Sequence, residues 1–284
     1  MANKTIIKTA SSVFETLQVL YPQSPRTRIK KLLQHGQVVC NGKVVTLHSF
    51  KLVPGDTLEI KTNTVSQKKE VIPFPVLYND EHVIVIDKPA GIASSDTDIE
   101  PNVYSILSNY IKKQSNGSKK AFLVHRIDRD VSGVLLFAKS NEVKDMLQAQ
   151  WDKSTKLYQA LVEGRPNKSE GSIKSWLVED KNYVVHSSQI KSEKAKYSIT
   201  HYRTIEQFDK HTLLEIDLET GRKNQIRVHM ADLACSIVGD IKYGAAKGFG
   251  NRVRLHAVSI KFPHPITKEI ITICSPLPKG FLVI

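Results

Sequence analysis

The stretch HRIDRDVSGVLLFAKS, residues 125–140, has five ionisable side chains in its first six positions and an apolar run shortly after them. The run from Val134 to Ala138 has the length and composition of a buried β-strand. Asp128 lies between Arg126 and Arg129, and such neighbours favour the charged form of a carboxyl group and lower its pKa. The stretch therefore predicts either a salt-bridged surface turn or an ionised carboxylate beside a core strand. Taken alone, the turn is the more common case.

The composition is that of a globular protein with an excess of positive charge. The 284 residues are 40% hydrophobic and 24% charged, enough for one large domain or two unequal ones. A net charge of +13 favours a polyanionic partner, either a nucleic acid or an anionic membrane surface. Residues 1–70 contain 11 Lys and Arg against 4 Asp and Glu, whereas residues 71–284 contain 30 against 24. The basic module is therefore N-terminal.

The cysteine pattern and the apolar runs predict a cytoplasmic protein. The three cysteines are far apart, and they form no CxxC pair and have no histidine cluster nearby, which argues against a disulfide framework and a zinc site: Cys40, Cys235 and Cys274. The N-terminus lacks the apolar core of a secretory signal. The longest apolar runs are too short to cross a bilayer. We expect no membrane association.

The sequence contains none of the common motifs for nucleotide cofactors or metals. No GxxxxGKS or GxxxxGKT phosphate loop and no GxGxxG turn after a strand is present. HExxH, the GxSxG nucleophile elbow and a cluster of acidic residues for two metals are also missing from the sequence. We therefore expect neither a cofactor nor a metal.

The first sixty residues predict a small helical unit with a cationic face. Ser12 and Glu15 have the spacing of a capping box, which predicts a short helix. Ser24 and Gly36 are typical of the start and the end of a second helix. Apolar residues occupy one side of this second helix, and four cations occupy the other: Arg26, Arg28, Lys30 and Lys31.

Two β-prone runs joined by Asn41-Gly42 follow, and Thr57–Ile60 predicts a closing strand. This helix–helix–hairpin–strand order resembles the alpha-L RNA-binding module, and the resemblance implies that the four cations bind RNA. The alternative is a solvated basic helix on an unrelated small domain. We predict an RNA-binding domain at residues 1–66, a polar linker at 67–73 and a second domain at 74–284.

In the second domain, strand patterns outnumber helical ones and do not alternate with them regularly. Helical patterns occur at 103–113, 141–151 and 224–234. This order predicts an α+β fold on a mostly antiparallel or mixed sheet.

Two further segments contain candidate site residues. KLYQALVEG, residues 156–164, alternates like a strand and places Tyr158 on one face, where it can stack on a base or simply pack in the core. LETGRKNQIRVHMADL, residues 218–233, predicts a strand end and a helix. Its Arg222 and Arg227 can contact phosphates, or Arg227 can turn inward to a carboxylate. The common alternative is an amphipathic helix with surface cations.

These segments, together with VIVIDKPAGIASS at 83–95, IVGDIKYG and RLHAVSIKFPHP, resemble the RluA-type RNA pseudouridine synthases in motif order and spacing. The resemblance covers about residues 76–278. It implies a curved sheet with a central cleft and an enzyme that isomerises uridines in RNA to pseudouridine without a cofactor. Ribosomal RNA of the large subunit is the implied target, with tRNA as the alternative, and the protein is expected to be monomeric.

The resemblance also implies a role for each matched residue. Asp128 is the implied catalytic carboxylate, and Arg227 is its implied ion-pair partner. Tyr158 is expected to stack on the flipped uracil and to exchange a proton. Arg126 is expected to hold the rearranged RNA, and Ile226 to line the pocket. Arg222 is a further candidate for RNA contact.

The chain departs from the family pattern at two places, and two other functions stay open. Lys223-Asn224 replaces the common Thr-His, and Ser94-Ser95 replaces the common Val-His. We expect that neither departure touches Asp128. One alternative function is a catalytically inactive RNA-binding or RNA-remodelling protein. The other is a nucleoside or glycoside hydrolase that pairs Asp128 with a second acid such as Asp130 or Asp240.

Overall fold

The protein was analysed as a computed structural model, which describes residues 3–34, 36–61, 72, 74–95, 101–115, 117–247 and 252–283. The contacts divide the chain into two units, Met1–Val71 and Ile72–Ile284. Apart from residue 72, the predicted linker at 67–73 lies outside the described residues, and the predicted domain boundaries stay a prediction.

The first unit combines two helices with short strands. In chain order its elements are β1 (Asn3–Ile6), β2 (Ser11–Ser12), α1 (Val13–Leu20), α2 (Arg26–Gln34), β3 (Val38–Cys40), β4 (Lys43–Val44), β5 (Lys51–Leu52) and β6 (Thr57–Ile60). The strands form an antiparallel sheet in the order β1-β6-β3-β4 and a separate β2-β5 pair.

Local sequence signals explain how these helices and turns form. The Ser12 hydroxyl accepts from the Glu15 N–H at 3.2 Å, and the Glu15 carboxylate accepts from the Ser12 N–H at 3.0 Å, so the predicted capping box starts α1. Asn41 and Gly42 both have positive φ, as a tight hairpin between β3 and β4 requires. In α2 the apolar side is buried, and the four cations are exposed: Arg26, Arg28, Lys30 and Lys31.

The second unit contains eleven strands and three α-helices among the described residues. In chain order its elements are β7 (Val76–Asn79), β8 (Val83–Lys88), α3 (Val103–Gln114), β9 (Phe122–Leu123), β10 (Ser132–Ala138), α4 (Asn141–Ala149), β11 (Thr155–Glu163), β12 (Glu170–Glu179), β13 (Val185–Ser188), β14 (Lys196–Gln207), β15 (His211–Leu218), α5 (Gln225–Asp232), β16 (Leu255–Pro263) and β17 (Ile270–Cys274).

All eleven strands belong to one sheet. Its main order is β13-β12-β14-β15-β11-β16-β10-β8-β7, with β17 added to β16 and β9 added to β10. The described pairs are antiparallel except β10 with β16, which is parallel. The predicted α+β class with a mostly antiparallel, mixed sheet is therefore confirmed.

Strand β10 lies in the interior of this sheet, and all seven of its residues are buried. Leu135 and Phe137 pack in the cluster that contains α3 residues, whereas Val134 and Leu136 pack in the cluster that contains α4 residues. Burial on both faces explains why the sequence shows a continuous apolar run instead of an alternation. Gly133, with φ +115°, permits the parallel contact, because a Cβ there would lie 2.2 Å from the Ala257 carbonyl oxygen.

Candidate active site

Three segments that the sequence placed far apart meet around one cavity of about 530 Å³. The loop before β10 contributes Asp128, β11 contributes Tyr158, and the start of α5 contributes Ile226. Leu218 and Leu255, at the end of β15 and the start of β16, add apolar surface. The predicted residues Arg126 and Arg222 also line this cavity, but the cations of α2 belong to the other unit.

Asp128 is a half-buried carboxyl group whose environment opposes its ionisation. Dehydration by the surrounding protein raises its pKa, and the charge of Asp130 acts in the same direction. Arg227, the backbone N–H of Asn224 and Arg126 oppose this shift, in decreasing order. The expectation that neighbouring arginines lower the pKa of Asp128 is wrong for the net effect, because burial outweighs them.

Arg227 is 5% exposed and forms its ion pair with Asp240 rather than with Asp128. Its Nε and Nη2 donate to the two Asp240 carboxylate oxygens at 2.6 and 2.7 Å, and Asp240 is itself only 1% exposed. Its Nη1 lies 3.7 Å from Asp130 Oδ2. The expected direct pair between Arg227 and Asp128 is therefore wrong. Arg227 acts on Asp128 through space, while Asp240 fixes the guanidinium plane.

Asn224 connects these groups to one another. It precedes α5 in a left-handed conformation, with φ 54°, which asparagine adopts more readily than most residues. Its Oδ1 accepts from Arg227 Nη1 at 3.2 Å, and its Nδ2 donates to the Tyr243 hydroxyl at 2.9 Å. Its backbone N–H also acts on Asp128, through a group that any residue at this position would supply, whereas the Asn224 side chain reaches Arg227 and Tyr243.

Tyr243 completes this group of buried residues. Its ring centroid lies 5.0 Å from Arg227 Cζ, and its hydroxyl accepts from the Val185 N–H at 3.3 Å. We call the group the floor network: Asp128, Asn224, Arg227, Asp240 and Tyr243. Reasoning from the sequence assigned no role to Tyr243 and considered Asp240 only as a free acid. The signal was the quoted motif IVGDIKYG, which contains both residues.

Tyr158 and Ile226 form the apolar part of the cavity as the sequence predicts, although their roles stay predictions. Both are buried, at 8% and 4% exposure. Burial and the nearby charge of Asp128 raise the pKa of Tyr158, so its hydroxyl stays protonated at neutral pH. A planar apolar group that enters the cavity would meet a tyrosine ring, aliphatic side chains and one carboxylate.

The mouth of the cavity is positively charged. We call its five exposed cations the cationic rim: Arg126, Lys194, Lys196, Arg222 and Lys223. Among the described lining residues, the carboxylates are Asp128 and Glu179, and Glu179 is paired with Lys223. A polyanion is therefore attracted to the mouth while a single carboxylate lies inside.

Two residues of the segment at 83–95 hold the Asp128 loop in place. Lys88 is fully buried, and its Nζ donates to the carbonyls of Pro89, Ile92 and Arg129 at 2.8–3.1 Å. Burial lowers the pKa of Lys88 to about 8. The Ser94 hydroxyl donates to the Ile127 carbonyl at 2.7 Å and accepts from the Ile127 N–H at 3.2 Å. Sequence reasoning missed both contacts, and the Ser94-Ser95 departure therefore contacts the residue next to Asp128.

Across the described part of the chain, no group of three or more His, Cys, Asp or Glu side chains is arranged to hold a metal ion. Within the same residues, no helix is both long and apolar enough to cross a membrane.

The second unit combines a large mixed sheet with a cavity whose mouth is cationic, and the first unit is small with a cationic helix; sequence comparison gives the family. The RNA pseudouridylate synthase family matches residues 82–232, and the S4 domain family matches residues 16–58. The chain belongs to the RNA pseudouridylate synthase family and is an enzyme of that class with an N-terminal S4 domain. The predicted family, its enzymatic nature and its N-terminal RNA-binding module are thereby confirmed.

Two relatives illustrate the match. A Bacillus subtilis (strain 168) protein described as the uncharacterized RNA pseudouridine synthase YlyB is 32% identical over 264 residues, covering 89% of this chain and 86% of that protein. Ribosomal large subunit pseudouridine synthase D of Vibrio cholerae is 31% identical over 288 residues, covering 91% of this chain and 85% of that protein.

A solved structure agrees with the fold. Human RNA Pseudouridylate Synthase Domain Containing 4 superposes with a TM-score of 0.62 at 23% identity. The superposition covers 73% of this chain and 90% of that one.

Proposed function

We propose that the protein converts uridine to pseudouridine in large-subunit ribosomal RNA, with Asp128 as the reacting carboxylate. The observation that carries this proposal is the position of Asp128, inside a cavity that also contains Tyr158 and Ile226 and beside an arginine held by Asp240. Support for the RNA comes from relatives described as ribosomal large subunit pseudouridine synthase D.

The reaction needs only groups that the cavity supplies. The N1–C1′ bond of uridine breaks, the uracil rotates, and C5 bonds to C1′; the C5 hydrogen then leaves as a proton while N1 gains one. No redox partner or group donor enters this balance. Asp128 can act at C1′, on the base or on a sugar proton, and each route begins with its ionised form. Arg227 and the Asn224 N–H favour that form and offset part of the effect of burial.

The substrate uridine must leave its base stack to enter the cavity. Flipping a base costs a few kcal/mol, and less in loops than in stems. Within the cavity, Tyr158 offers a face for stacking and a protonated hydroxyl, and Ile226 offers an apolar wall. Arg126 and Arg222 line the mouth of the cavity, and we propose that they hold the RNA strand that surrounds the flipped nucleotide.

The N-terminal unit supplies affinity that does not depend on the target base. We assign RNA binding to residues 1–66 on the strength of the S4 match and the exposed cations of α2. Phosphate contacts of this kind weaken as salt concentration rises. We further propose that the protein works as a cytoplasmic monomer without a metal or a membrane partner.

Tritium release tests the proposed function. Large-subunit rRNA and tRNA transcripts carrying tritium at uridine C5 are incubated with the wild type, with Asp128→Asn and with Asp145→Asn, the same substitution at an exposed carboxylate on α4. We expect release from the rRNA with the wild type and with Asp145→Asn, and a loss of at least about 10³-fold with Asp128→Asn at unchanged RNA affinity.

Three results would contradict parts of this proposal. Release from tRNA alone would overturn the assigned RNA but not the reaction. Retained activity in Asp128→Asn would overturn the role of Asp128. Free uracil as the product would point to a hydrolase, for which the pairing of Asp240 with Arg227 leaves no free second acid at that position.

A further inference from the structure

The turn between β12 and β13 presents an exposed aromatic ring beside the cationic rim. Tyr183 is 74% exposed, and Lys223 Nζ lies 5.7 Å from its ring centroid. Lys223 lines the cavity and directly precedes Asn224 of the floor network. The ring is therefore next to a cation that is one residue away from the backbone N–H acting on Asp128.

The backbone at Tyr183 is strained but firmly held. Its φ is +59°, a region that bulky side chains rarely adopt, although Asn182, which tolerates it better, is the preceding residue. The Asp180 carboxylate accepts from the N–H groups of Asn182 and Val184, and Lys242 Nζ donates to the Tyr183 carbonyl at 2.9 Å. Strain that the surroundings maintain is concentrated at binding sites.

The same turn is joined to the floor network. The N–H of Val185, two residues after Tyr183, donates to the Tyr243 hydroxyl, which also accepts from Asn224. The position of the exposed ring is thus fixed relative to the groups around Asp128 and does not depend on loop packing alone.

We propose that Tyr183 and Lys223 form a binding site for the nucleotide adjacent to the target uridine, with its base stacked on the Tyr183 ring and its phosphate replacing Glu179 as the partner of Lys223. This inference rests on the proposed function, because the occupant is the strand whose uridine enters the cavity. Proteins commonly bind single-stranded RNA through an exposed aromatic ring with cations nearby, because every base has a face that can stack on the ring. Lys194 and Lys196 extend the positive charge for the rest of the strand.

Kinetics on tritiated large-subunit rRNA provide the first test. Removing one stacking partner weakens binding by roughly 5- to 150-fold. We expect Tyr183→Ala to raise KM within that range with kcat within about twofold of the wild type, and Tyr183→Phe to behave like the wild type. The control is Tyr197→Ala, at a second exposed tyrosine that the cavity lining does not include and whose ring packs on Trp176. It should leave KM unchanged.

Three kinetic results would overturn the inference. They are an unchanged KM in Tyr183→Ala, a loss confined to kcat, and a Tyr183→Phe variant as impaired as Tyr183→Ala. A loss confined to kcat would show that the turn affects catalysis only through its contact with Tyr243. An impaired Tyr183→Phe variant would show that RNA binding depends on the hydroxyl rather than on the ring.

Fluorescence provides a test that needs no turnover. Tyr183→Trp and Tyr197→Trp are titrated with a 12-nucleotide oligouridylate, and the signal of the wild type, which has two tryptophans, is subtracted. We expect saturable quenching at position 183 only, weakened by salt and by an added Lys223→Met. Absence of quenching where anisotropy shows RNA bound would overturn the inference, as would quenching by a non-nucleic polyanion such as polyglutamate to the same extent.

The two proposals fail separately. A wild type that releases no tritium from any RNA defeats the proposed function, whereas quenching at position 183 still supports the stacking site. An active wild type without quenching or a KM change defeats the stacking site alone.

Discussion

At the floor of the cavity, Arg227 and Asp240 are 5% and 1% exposed and share two short hydrogen bonds, whereas beside its mouth Tyr183 is 74% exposed and held in a strained backbone conformation. Within the floor network, the Arg227–Asp240 pair gains stability from buried, fully partnered charge. Tyr183 and the rim cations other than Lys223, which is paired with Glu179, instead keep apolar surface and charge available to a ligand at some expense to stability. Changes to this pair should therefore mainly reduce stability, and changes near the rim should mainly reduce RNA binding.

The largest expected effect is at Asp240. Asp240→Ala leaves the Arg227 guanidinium buried without its carboxylate, and breaking such a pair from one side lowers the free energy of unfolding by about 3–5 kcal/mol. The control is Glu215→Ala, which removes the partner of Arg203 at 2.7 Å on an exposed part of the sheet. It should cost at most about 1 kcal/mol. Urea denaturation measures both, and equal losses would remove the distinction between floor and surface.

Tyr243→Phe tests the connection between floor and rim. The substitution keeps the ring under Arg227 but removes the oxygen that accepts from Asn224 and Val185. Two buried donors lose a partner, so we expect the free energy of unfolding to fall by about 1–3 kcal/mol. We also expect quenching at a Tyr183→Trp reporter to weaken. Unchanged quenching in the variant that combines Tyr243→Phe with Tyr183→Trp would show that the turn between β12 and β13 is positioned independently of the Tyr243 hydroxyl.

Asp128→Asn should stabilise the fold while abolishing activity, with a smaller effect on stability than Tyr243→Phe. Because burial raises the pKa of Asp128, its ionised form destabilises the folded state. This destabilisation begins above the unfolded-state pKa of about 3.9 and is complete above the raised folded-state pKa. The Tm of Asp128→Asn should exceed that of the wild type at pH 8, and the two should converge towards pH 4. A Tm difference that grows on acidification would contradict the assigned direction.

The smallest expected effect is at Tyr183. Tyr183→Asn relieves the cost of a left-handed tyrosine and should raise the free energy of unfolding by roughly 1 kcal/mol, while it removes the stacking ring. Thermal denaturation and RNA affinity are measured on the same preparation. A variant that loses both stability and affinity would show that the ring is a structural element instead of a binding surface.

The sequence predicted elements whose signals are local. The capping box of Ser12 and Glu15 starts α1 as expected, and the Asn41-Gly42 turn joins β3 to β4. Strand β10 was also predicted from its apolar run, because a strand that is buried on both faces has apolar residues at consecutive positions.

What could not be predicted depends on contacts between distant segments. The sign of the Asp128 pKa shift depends on how tightly three separate segments enclose it, which adjacent residues do not reveal. The partner of Arg227 is Asp240, thirteen positions later, and its choice over Asp128 follows from side-chain geometry. Lys88 was missed for a related reason: its partners are backbone carbonyls, which carry no side-chain signature.

The parallel contact between β10 and β16 has a consequence for when activity arises during synthesis. Gly133 of β10 pairs with Ala257 of β16. The strand that follows the Asp128 loop therefore pairs with a strand that is synthesised more than a hundred residues later. Pairings across such long separations form late, because loop closure must precede the contact. Leu255, which lines the cavity, arrives with the same strand. A nascent chain therefore completes its S4 domain long before its active site closes, and the RNA binding proposed for that domain would precede modification.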